Sequence, residues 1–132
     1  HLAEGKIGHV SMLPEPMPLQ EFLPMVKERL HANGLRYCDG GRPVQRIATG
    51  CGSCGEYLAD AVQAGCDTFI TGDVKYSVMI DALGQGINLI DAGHYPTENP
   101  IVAKLHQKLS VRFPDVMVTV AERIAQPDQF FA

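Results

Sequence analysis

From residue 44 onward, short apolar segments alternate with helical patterns, and this alternation constrains the fold more than any other feature of the sequence. Short apolar runs of this kind are typical of strands that are buried on both faces of a parallel sheet. Strands are predicted at 44–49, 68–71, 88–92 and 117–120, with helices between them at about 55–64, 74–83 and 96–109. Right-handed crossovers join strands in such a pattern. The predicted fold class is therefore α/β, with a mostly parallel sheet and helices on both of its faces.

The first third of the chain predicts a strand, a turn and an amphipathic helix. The strand is expected at 6–12 and the helix at 18–32, where apolar residues recur at helical spacing. Asn33-Gly34 is the stop signal of the helix. A stiff turn is predicted between the two elements, because three prolines lie there: Pro14, Pro16 and Pro18.

A hairpin is predicted next. The sequence Asp39-Gly40-Gly41 is a tight-turn signal, and it lies between a predicted strand at 35–38 and the strand at 44–49. The opening strand and this hairpin would add antiparallel edge strands to the sheet. At the other end of the chain, Phe130 and Phe131 are expected to pack back on the body. We see no repeat and no linker, so residues 1–132 are expected to form a single α/β domain.

Composition narrows the class of protein. The chain has 132 residues, of which 45% are hydrophobic and 20% charged, with a net charge of −4, as in ordinary globular domains. There is no Lys/Arg run, so no nucleic-acid partner is expected, and no apolar run long enough to predict a membrane partner. The first residues do not resemble a signal peptide, and without an initiator Met the chain is expected to be an excised or processed piece. Four cysteines then predict reduced thiols and a cytoplasmic location.

One stretch, residues 88–98, carries the strongest candidate site. It predicts a buried strand that stops at Gly93 and continues as a helix with Pro96 in its first turn. His94 and Glu98 are four residues apart, so they share one helix face at the carboxyl end of a strand if the helix begins early enough. An imidazole and a carboxylate are common ligands of divalent metals. The alternative is a histidine that caps the helix and a glutamate that complements its dipole. No ligand role is expected for the other histidines: His1, His9, His31 and His106.

The loop 50–55 is glycine-rich and joins a strand to a helix. Backbone N–H groups in such a loop form a natural anion site, so a phosphate contact is a candidate role for four of its residues: Gly50, Gly52, Ser53 and Gly55. The alternative is a tight turn that allows close packing of strand and helix. The loop lacks the Lys-Ser/Thr end of a P-loop.

The same loop contains Cys51 and Cys54, spaced as Cys-x-x-Cys. The pair is a candidate for redox chemistry or for half of a zinc site. Zinc would require two further ligands, and Cys38 and Cys66 do not form a second such pair. The favoured interpretation is that small cysteines fill a tight turn.

A third candidate segment, residues 71–76, also lies where a predicted strand ends and a helix follows. Asp73 is placed to cap the following helix. If this strand neighbours the one that ends at Gly93, Asp73 would instead lie near His94, where it could hold the imidazole as an outer hydrogen-bond partner or relay a proton. Lys75 and Tyr76 would then be within reach of a substrate.

Three motifs in register carry a family resemblance. They are Gly-Cys-Gly-Ser-Cys-Gly-Glu at 50–56, Thr-Gly-Asp-Val-Lys-Tyr at 71–76 and Asp-Ala-Gly-His-Tyr-Pro-Thr-Glu at 91–98. Together they resemble the carboxyl-terminal half of the NIF-three-like dinuclear metal-centre family, also called the GTP cyclohydrolase 1 type 2 family. The Gly-Lys-Ile-Gly opening and the Gln-Pro-Asp-Gln-Phe ending resemble the family as well, so that the resemblance covers nearly the whole chain.

The resemblance implies that His94 and Glu98 are two ligands of a dinuclear site for a divalent metal, namely Zn, Mn, Fe or Ni. The family's other ligands, a His-His pair and an aspartate, belong to an amino-terminal half that this sequence does not contain. The family's histidine after Lys-Tyr is Ser77 here. Two ligands alone predict poor metal affinity.

The implied function is that of a C-terminal metal-binding domain. The complete protein would be a hydrolase-like enzyme acting on a phosphate-bearing or heterocyclic substrate, and the family resemblance implies a ring-like homo-oligomer, commonly a hexamer. The alternative is a non-enzymatic binding or assembly module that keeps the fold without a complete metal site, which Ser77 and the missing ligands favour. A redox or zinc module at Cys51 and Cys54 is a third hypothesis.

Overall fold

The computed structural model describes residues 8–122 and 125–131, which are built around one five-stranded sheet. Its strands are β1 His9–Met17, β2 Arg36–Cys38, β3 Val44–Thr49, β4 Thr68–Thr71 and β5 Asn88–Asp91. They lie in the order β1-β3-β4-β5-β2. The three central strands are parallel, and β1 and β2 pair antiparallel to β3 and β5 at the two edges. The predicted α/β fold with antiparallel edge strands is confirmed.

The helices follow the predicted order with shifted ends. They are α1 Leu19–Leu30, α2 Leu58–Gln63, α3 Tyr76–Gln85, α4 His94–Glu98 and α5 Pro100–Arg112, with a 3₁₀ turn at Gly55–Tyr57 before α2. The single helix expected at 96–109 begins earlier and is divided at Asn99, since Pro100 has no N–H to continue the ladder. In the part of the chain that the structure describes, no helix has the length and apolarity needed to cross a bilayer.

Two apolar clusters hold the layers together, one on each face of the sheet. Successive residues of a strand point to opposite faces, and Phe69 and Ile70 of β4 accordingly belong to different clusters. Phe69 packs with residues of α2 and α3, and Ile70 packs with α1. The helices therefore cover both faces, and the loops at the carboxyl ends of the parallel strands are left free to form a site.

The predicted hairpin is wrong. Strand β2 pairs with β5, through Arg36 opposite Asp91, and two strands separate it from β3. The connection instead crosses the amino ends of the strands, where the Asn88 side chain accepts from Gly40 N and donates to Arg42 O. A local turn signal cannot specify which edge each flanking strand joins.

The predicted proline turn is also wrong. Strand β1 runs through Pro14 and Pro16 to Met17, with an irregular register between Met12 and Met17. Proline is compatible with an edge strand because its missing N–H faces solvent rather than a neighbour. The predicted start of this strand, at Lys6 and Ile7, lies outside the described residues.

The strand expected at 117–120 is absent from the described structure. These residues form no ladder, although His106 Nε2 lies 3.1 Å from Val118 O. Val116 and Met117 are exposed, and a β-prone run forms a strand only where it meets a partner edge. Of the tail phenylalanines, Phe130 packs against Gly34, as expected, whereas Phe131 is fully exposed.

Candidate metal centre

The loops that follow β3, β4 and β5 meet at one edge of the sheet. Gly72 N donates to Gly52 O over 2.8 Å, which ties the second loop to the first. Gly72 also lies against the third loop, because a Cβ at this position would be 2.6 Å from the carbonyl carbon of Gly93. A side chain at residue 72 would force these loops apart, so the glycine allows the three junctions to form one site.

His94 lies between two carboxylates at this edge. Its Nδ1 is 2.7 Å from Asp73 Oδ2, and its Nε2 is 3.3 Å from Glu98 Oε1. Helix α4 begins at His94, so the four-residue spacing brings the imidazole and Glu98 to one helix face. The sequence-predicted residues His94, Glu98 and Asp73 are therefore adjacent, and the imidazole does not act as a helix cap.

The His94–Glu98 pair has a geometry that suits one divalent ion. A tetrahedral ion with bonds of about 2.0–2.2 Å to both atoms would hold them about 3.3–3.6 Å apart. The Nε2–Oε1 separation of 3.3 Å fits this range. Gly52 faces the pair, and a Cβ there would lie 2.6 Å from Glu98 Oε1 and 3.1 Å from His94 Nε2. The missing side chain leaves space beside both candidate ligand atoms.

Asp73 is not the cap of the following helix. Helix α3 has Lys75 at its N-cap position, whereas Asp73 has a φ of 52°. A positive φ is uncommon for residues other than glycine, although aspartate tolerates it better than most. This backbone turns the Asp73 carboxylate towards His94. A metal-binding histidine usually donates its other ring N–H to such a group, which fixes the tautomer.

The hydrogen bond to Asp73 has a consequence for the His94 pKa. This bond is the main cause that raises the pKa of His94. Desolvation, the next largest cause, lowers the pKa, and the Glu98 charge raises it. The pKa of His94 in the folded protein therefore exceeds its unfolded value of about 6.5. The stabilisation that protonated His94 contributes is fully present below a pH of about 6.5, and it is lost as the pH rises through the folded pKa.

We expect Asp73→Asn to lower the pKa of His94, because the main group that favours the imidazolium is neutralised. An NMR titration of the His94 ring protons measures this directly. Asp81→Asn is the matched control, since Asp81 is an exposed residue of α3 and the charge change is identical. A His94 pKa that is equal in Asp73→Asn and wild type would contradict the assigned contact.

Several backbone amides of the glycine-rich loop donate to neighbouring segments of the protein. Gly50 N donates to Ile70 O, and Gly52 N donates to Thr97 Oγ1. Cys54 N likewise donates to Thr71 Oγ1. Of the four predicted phosphate-contact residues, Gly50 and Gly52 therefore have amides that are engaged elsewhere.

The other two predicted phosphate-contact residues line a hollow. Ser53 and Gly55 border a space of about 350 Å³, together with Asp73, Lys75 and Glu56. Asp73 also borders a second hollow of about 670 Å³, which is lined by His94 and Glu98. The structure thus brings Lys75 to the edge of the site, as expected, whereas the Tyr76 side chain is 79% exposed.

All four cysteines are free thiols, and they differ in accessibility. Cys51 is exposed, while Cys54 is half-buried with its Sγ 3.2 Å from Cys51 O. Burial raises the pKa of the Cys54 thiol, and Cys51, Glu56 and Glu98 raise it further. Burial likewise raises the pKa of Cys38 and Cys66.

We expect iodoacetamide to alkylate Cys51 fastest at neutral pH and Cys54 more slowly, because the thiolate is the nucleophile. Cys38 and Cys66 should react only after unfolding. Mass spectrometry of timed samples, with and without a chelator, measures these rates. Equal rates for Cys51 and Cys54 would contradict the prediction, whereas acceleration by the chelator would indicate zinc at this pair.

Several residues that support the site were missed at the sequence level. Thr97 Oγ1 accepts from Gly52 N and is within hydrogen-bond distance of His94 O, and Thr71 Oγ1 donates to Gly52 O. Both threonines lie inside the quoted motifs, so their position was a usable signal. Arg36 and Asp91 form an ion pair of 2.6 Å beneath the loops, and a charged residue ending an apolar strand was the only sign of it.

Within residues 8–122 and 125–131, no three His, Cys, Asp or Glu side chains converge well enough to hold a metal ion. His94 and Glu98 are thus two candidate ligands, and Asp73 contacts the imidazole. His1 lies outside the described residues. The remaining histidines lie away from this pair: His9 is in β1, His31 follows α1 and His106 is in α5.

Similar proteins are found among curated sequences. A Clostridium perfringens protein named GTP cyclohydrolase 1 type 2 homolog is 32% identical over 130 residues, which are 97% of this chain and 50% of that protein. The Bacillus subtilis protein of the same name is 37% identical over 94 residues, covering 70% of this chain and 25% of its own length. The chain thus spans at most about half the length of these relatives.

Solved structures and a family model agree with this similarity. A Staphylococcus aureus protein superposes with a TM-score of 0.80 and 28% identity, over 94% of this chain and 42% of that one. A Bacillus cereus protein related to NIF3 gives a TM-score of 0.80 and 27% identity, over 94% and 36% of the two chains. The family model of Duf34/NIF3 (NGG1p interacting factor 3) matches residues 2–127. This chain therefore belongs to the Duf34/NIF3 family.

Proposed function

We propose that residues 1–132 form a single α/β domain, the C-terminal metal-binding domain of a dinuclear metal-centre protein. The observation that carries this proposal is the 3.3 Å separation of His94 Nε2 and Glu98 Oε1, next to the space left by Gly52. The complete protein would act as a hydrolase on a phosphate-bearing or heterocyclic substrate. The names of the two bacterial relatives support a GTP-like substrate, but only for the longer proteins that bear those names.

The residues of this chain have distinct roles in the proposal. His94 and Glu98 hold a divalent ion (Zn, Mn, Fe or Ni), which would supply a Lewis acid and lower the pKa of a bound water. Asp73 accepts from His94 Nδ1 and so presents Nε2 towards the ion. A proton relay is the alternative role for Asp73, since its carboxylate also borders the adjacent hollow.

A phosphate group of the substrate would occupy the hollow bordered by Ser53, Gly55 and Lys75. Asp73 borders both this hollow and the one around His94, so a single extended substrate could reach both. Because Glu56 and Asp73 add negative charge there, we expect phosphate binding to depend mainly on Lys75. Gly50 and Gly52 would shape the loop rather than donate their amides, which are already engaged.

A second half is required to complete the site. The described residues offer two ligands, whereas a stable centre needs at least one or two more. The relatives are about twice as long as this chain or longer, which leaves room for such a half. In the proposal, the missing ligands come from that half or from another copy in a homo-oligomer, for which a ring or hexamer is the family expectation.

The test is metal content, measured by elemental analysis on protein purified without chelator and loaded in turn with Zn, Mn, Fe and Ni. The expected result is bound metal that is lost in Glu98→Gln. Its amount should be near-stoichiometric if another copy in a homo-oligomer supplies the missing ligands, and detectable only with excess metal if they belong to the second half. The absence of metal from wild type under every loading condition would contradict the proposal and favour the non-enzymatic module described next.

The alternative function is a binding or assembly module, and α5 is the observation that favours it. This helix has no buried residue, and it exposes several large apolar side chains: Ile101, Val102, Leu105 and Leu109. An apolar helix face of this kind is typical of an interface. Light scattering after size exclusion measures whether copies of the chain associate. A monomer that also binds no metal would contradict both the homo-oligomer and the metal-binding domain. We place the protein in the cytoplasm, which its four free thiols support.

A further inference from the structure

Asp91, the last residue of β5, is a buried carboxylate bonded by three separate segments. Its side chain is 6% exposed. Arg36 donates to Oδ2 through Nη2 at 2.6 Å and Nε at 3.2 Å. Val74 N donates to Oδ2 at 3.0 Å, and Gly93 N donates to Oδ1 at 3.1 Å. One carboxylate therefore ties together β2, the loop after β4 and the loop after β5.

The two backbone donors are the immediate neighbours of the residues that contact each other in the candidate site. Val74 follows Asp73, and Gly93 precedes His94 in the sequence. Asp73 Oδ2 and His94 Nδ1 are 2.7 Å apart, so a displacement of about 1 Å between the two loops would break this hydrogen bond. Arg36 Nη2 also donates to Val74 O at 2.6 Å, so both backbone polar groups of Val74 are held.

We propose that Asp91, held by Arg36, is the positioning residue of the metal centre: its carboxylate sets the distance between the Asp73 loop and the His94 loop. The inference rests on the proposed function, because the residue it positions is the proposed ligand His94. Asp91 itself makes no hydrogen bond to His94 or Glu98 among the described contacts, so it acts through Asp73 and the backbone. Ligand-bearing loops need this kind of rigid support to hold a metal geometry.

The chemistry of the carboxylate explains why an amide would not replace it. Val74 N and Arg36 approach Oδ2, while Gly93 N approaches Oδ1. An asparagine side chain has one oxygen and one NH₂ group, and the NH₂ group can only donate. In Asp91→Asn, at least one loop would therefore face a donor where it requires an acceptor.

Asp67 provides a matched control within the same sheet. It is 8% exposed, and its carboxylate accepts from the backbone amides of Gln45 and Arg46. It immediately precedes β4, at the opposite end of the sheet from the candidate site. Asp67→Asn is thus the same chemical change, at similar burial and with a similar loss of backbone contacts, but away from His94.

The experiment compares Asp91→Asn, Asp67→Asn and wild type by two measurements. In the metal-free proteins, NMR records the ring resonances of His94; we expect them to move in Asp91→Asn and to stay unchanged in Asp67→Asn. In calorimetric titration with Zn²⁺, the affinity of Asp91→Asn should be at least about tenfold weaker than that of wild type, which is the range found for outer partners of metal ligands. Asp67→Asn should keep the wild-type affinity. Both variants are expected to lose stability.

Unchanged His94 resonances in Asp91→Asn, or equal effects of the two variants on the resonances and on Zn²⁺ affinity, would overturn the positioning role. If Asp91→Asn does not fold, Arg36→Lys replaces it, because lysine keeps the charge and loses the two-point contact; a smaller His94 shift is then expected, and no shift would overturn the inference. Failure of wild type to bind Zn²⁺ would refute the proposed function instead, and the metal-free NMR comparison would still decide the positioning role.

Discussion

Replacement of His94 with alanine is expected to lower the affinity for Zn²⁺ by more than about 100-fold, because loss of a ligand should exceed the 10–100-fold cost of losing an outer partner. With only Glu98 left of the proposed pair, an ion would have one protein ligand in the described part of the chain. Calorimetric titration of wild type and His94→Ala with Zn²⁺, at a pH above the raised pKa of His94, measures the difference.

The control for this prediction is His106→Ala. His106 lies in α5, and its ring contacts Val118 O rather than the candidate site. The variant should keep the wild-type affinity. If His106→Ala weakens Zn²⁺ binding as much as His94→Ala does, binding is non-specific or lies elsewhere, and the assignment of the centre is wrong.

The largest expected effect on stability is that of Phe69→Ala, which should lower the free energy of unfolding by about 3–5 kcal/mol. Phe69 is in the central strand β4, its side chain is 0% exposed, and it packs against α2 and α3. Truncation removes buried apolar area and leaves a cavity that two helices and a sheet cannot readily fill. Equilibrium unfolding in urea, followed by circular dichroism, measures the change.

Phe131→Ala is the matched control, since the same side chain is fully exposed there. Its effect should remain within about 0.5 kcal/mol, as for most surface substitutions. A loss below about 1 kcal/mol for Phe69→Ala would contradict the two-cluster description of the core, given the usual cost of such truncations.

The central fold was predictable because it depends on local patterns. Apolar runs buried on both faces predicted the three parallel strands, and their carboxyl-end glycines predicted where the loops meet. Pairing at the edges was not predictable, because β2 and β3 are separated by two strands despite a turn signal between them. The prolines of β1 and the β-prone run at 117–120 show the same limit: propensity alone does not say which neighbour a segment meets.

The candidate site was likewise predictable only in part. The spacing of His94 and Glu98 follows from the helical repeat, and Asp73 followed from the assumption that β4 and β5 are neighbours, which the ladder confirms. The contacts of Asp91 with Arg36 were not predictable, because they join residues 55 positions apart through a pairing that the sequence did not reveal. The space beside Gly52 was not predictable either, because it depends on the tertiary approach of α4 to the loop after β3.

The most direct test of the account is a crystal structure of the chain soaked with Zn²⁺, with anomalous data collected at the zinc absorption edge. The account predicts an anomalous peak beside Gly52, at about 2.0–2.2 Å from both His94 Nε2 and a carboxylate oxygen of Glu98. A peak at Cys51 and Cys54 instead, or no peak between His94 and Glu98 in a fully soaked crystal, would contradict it.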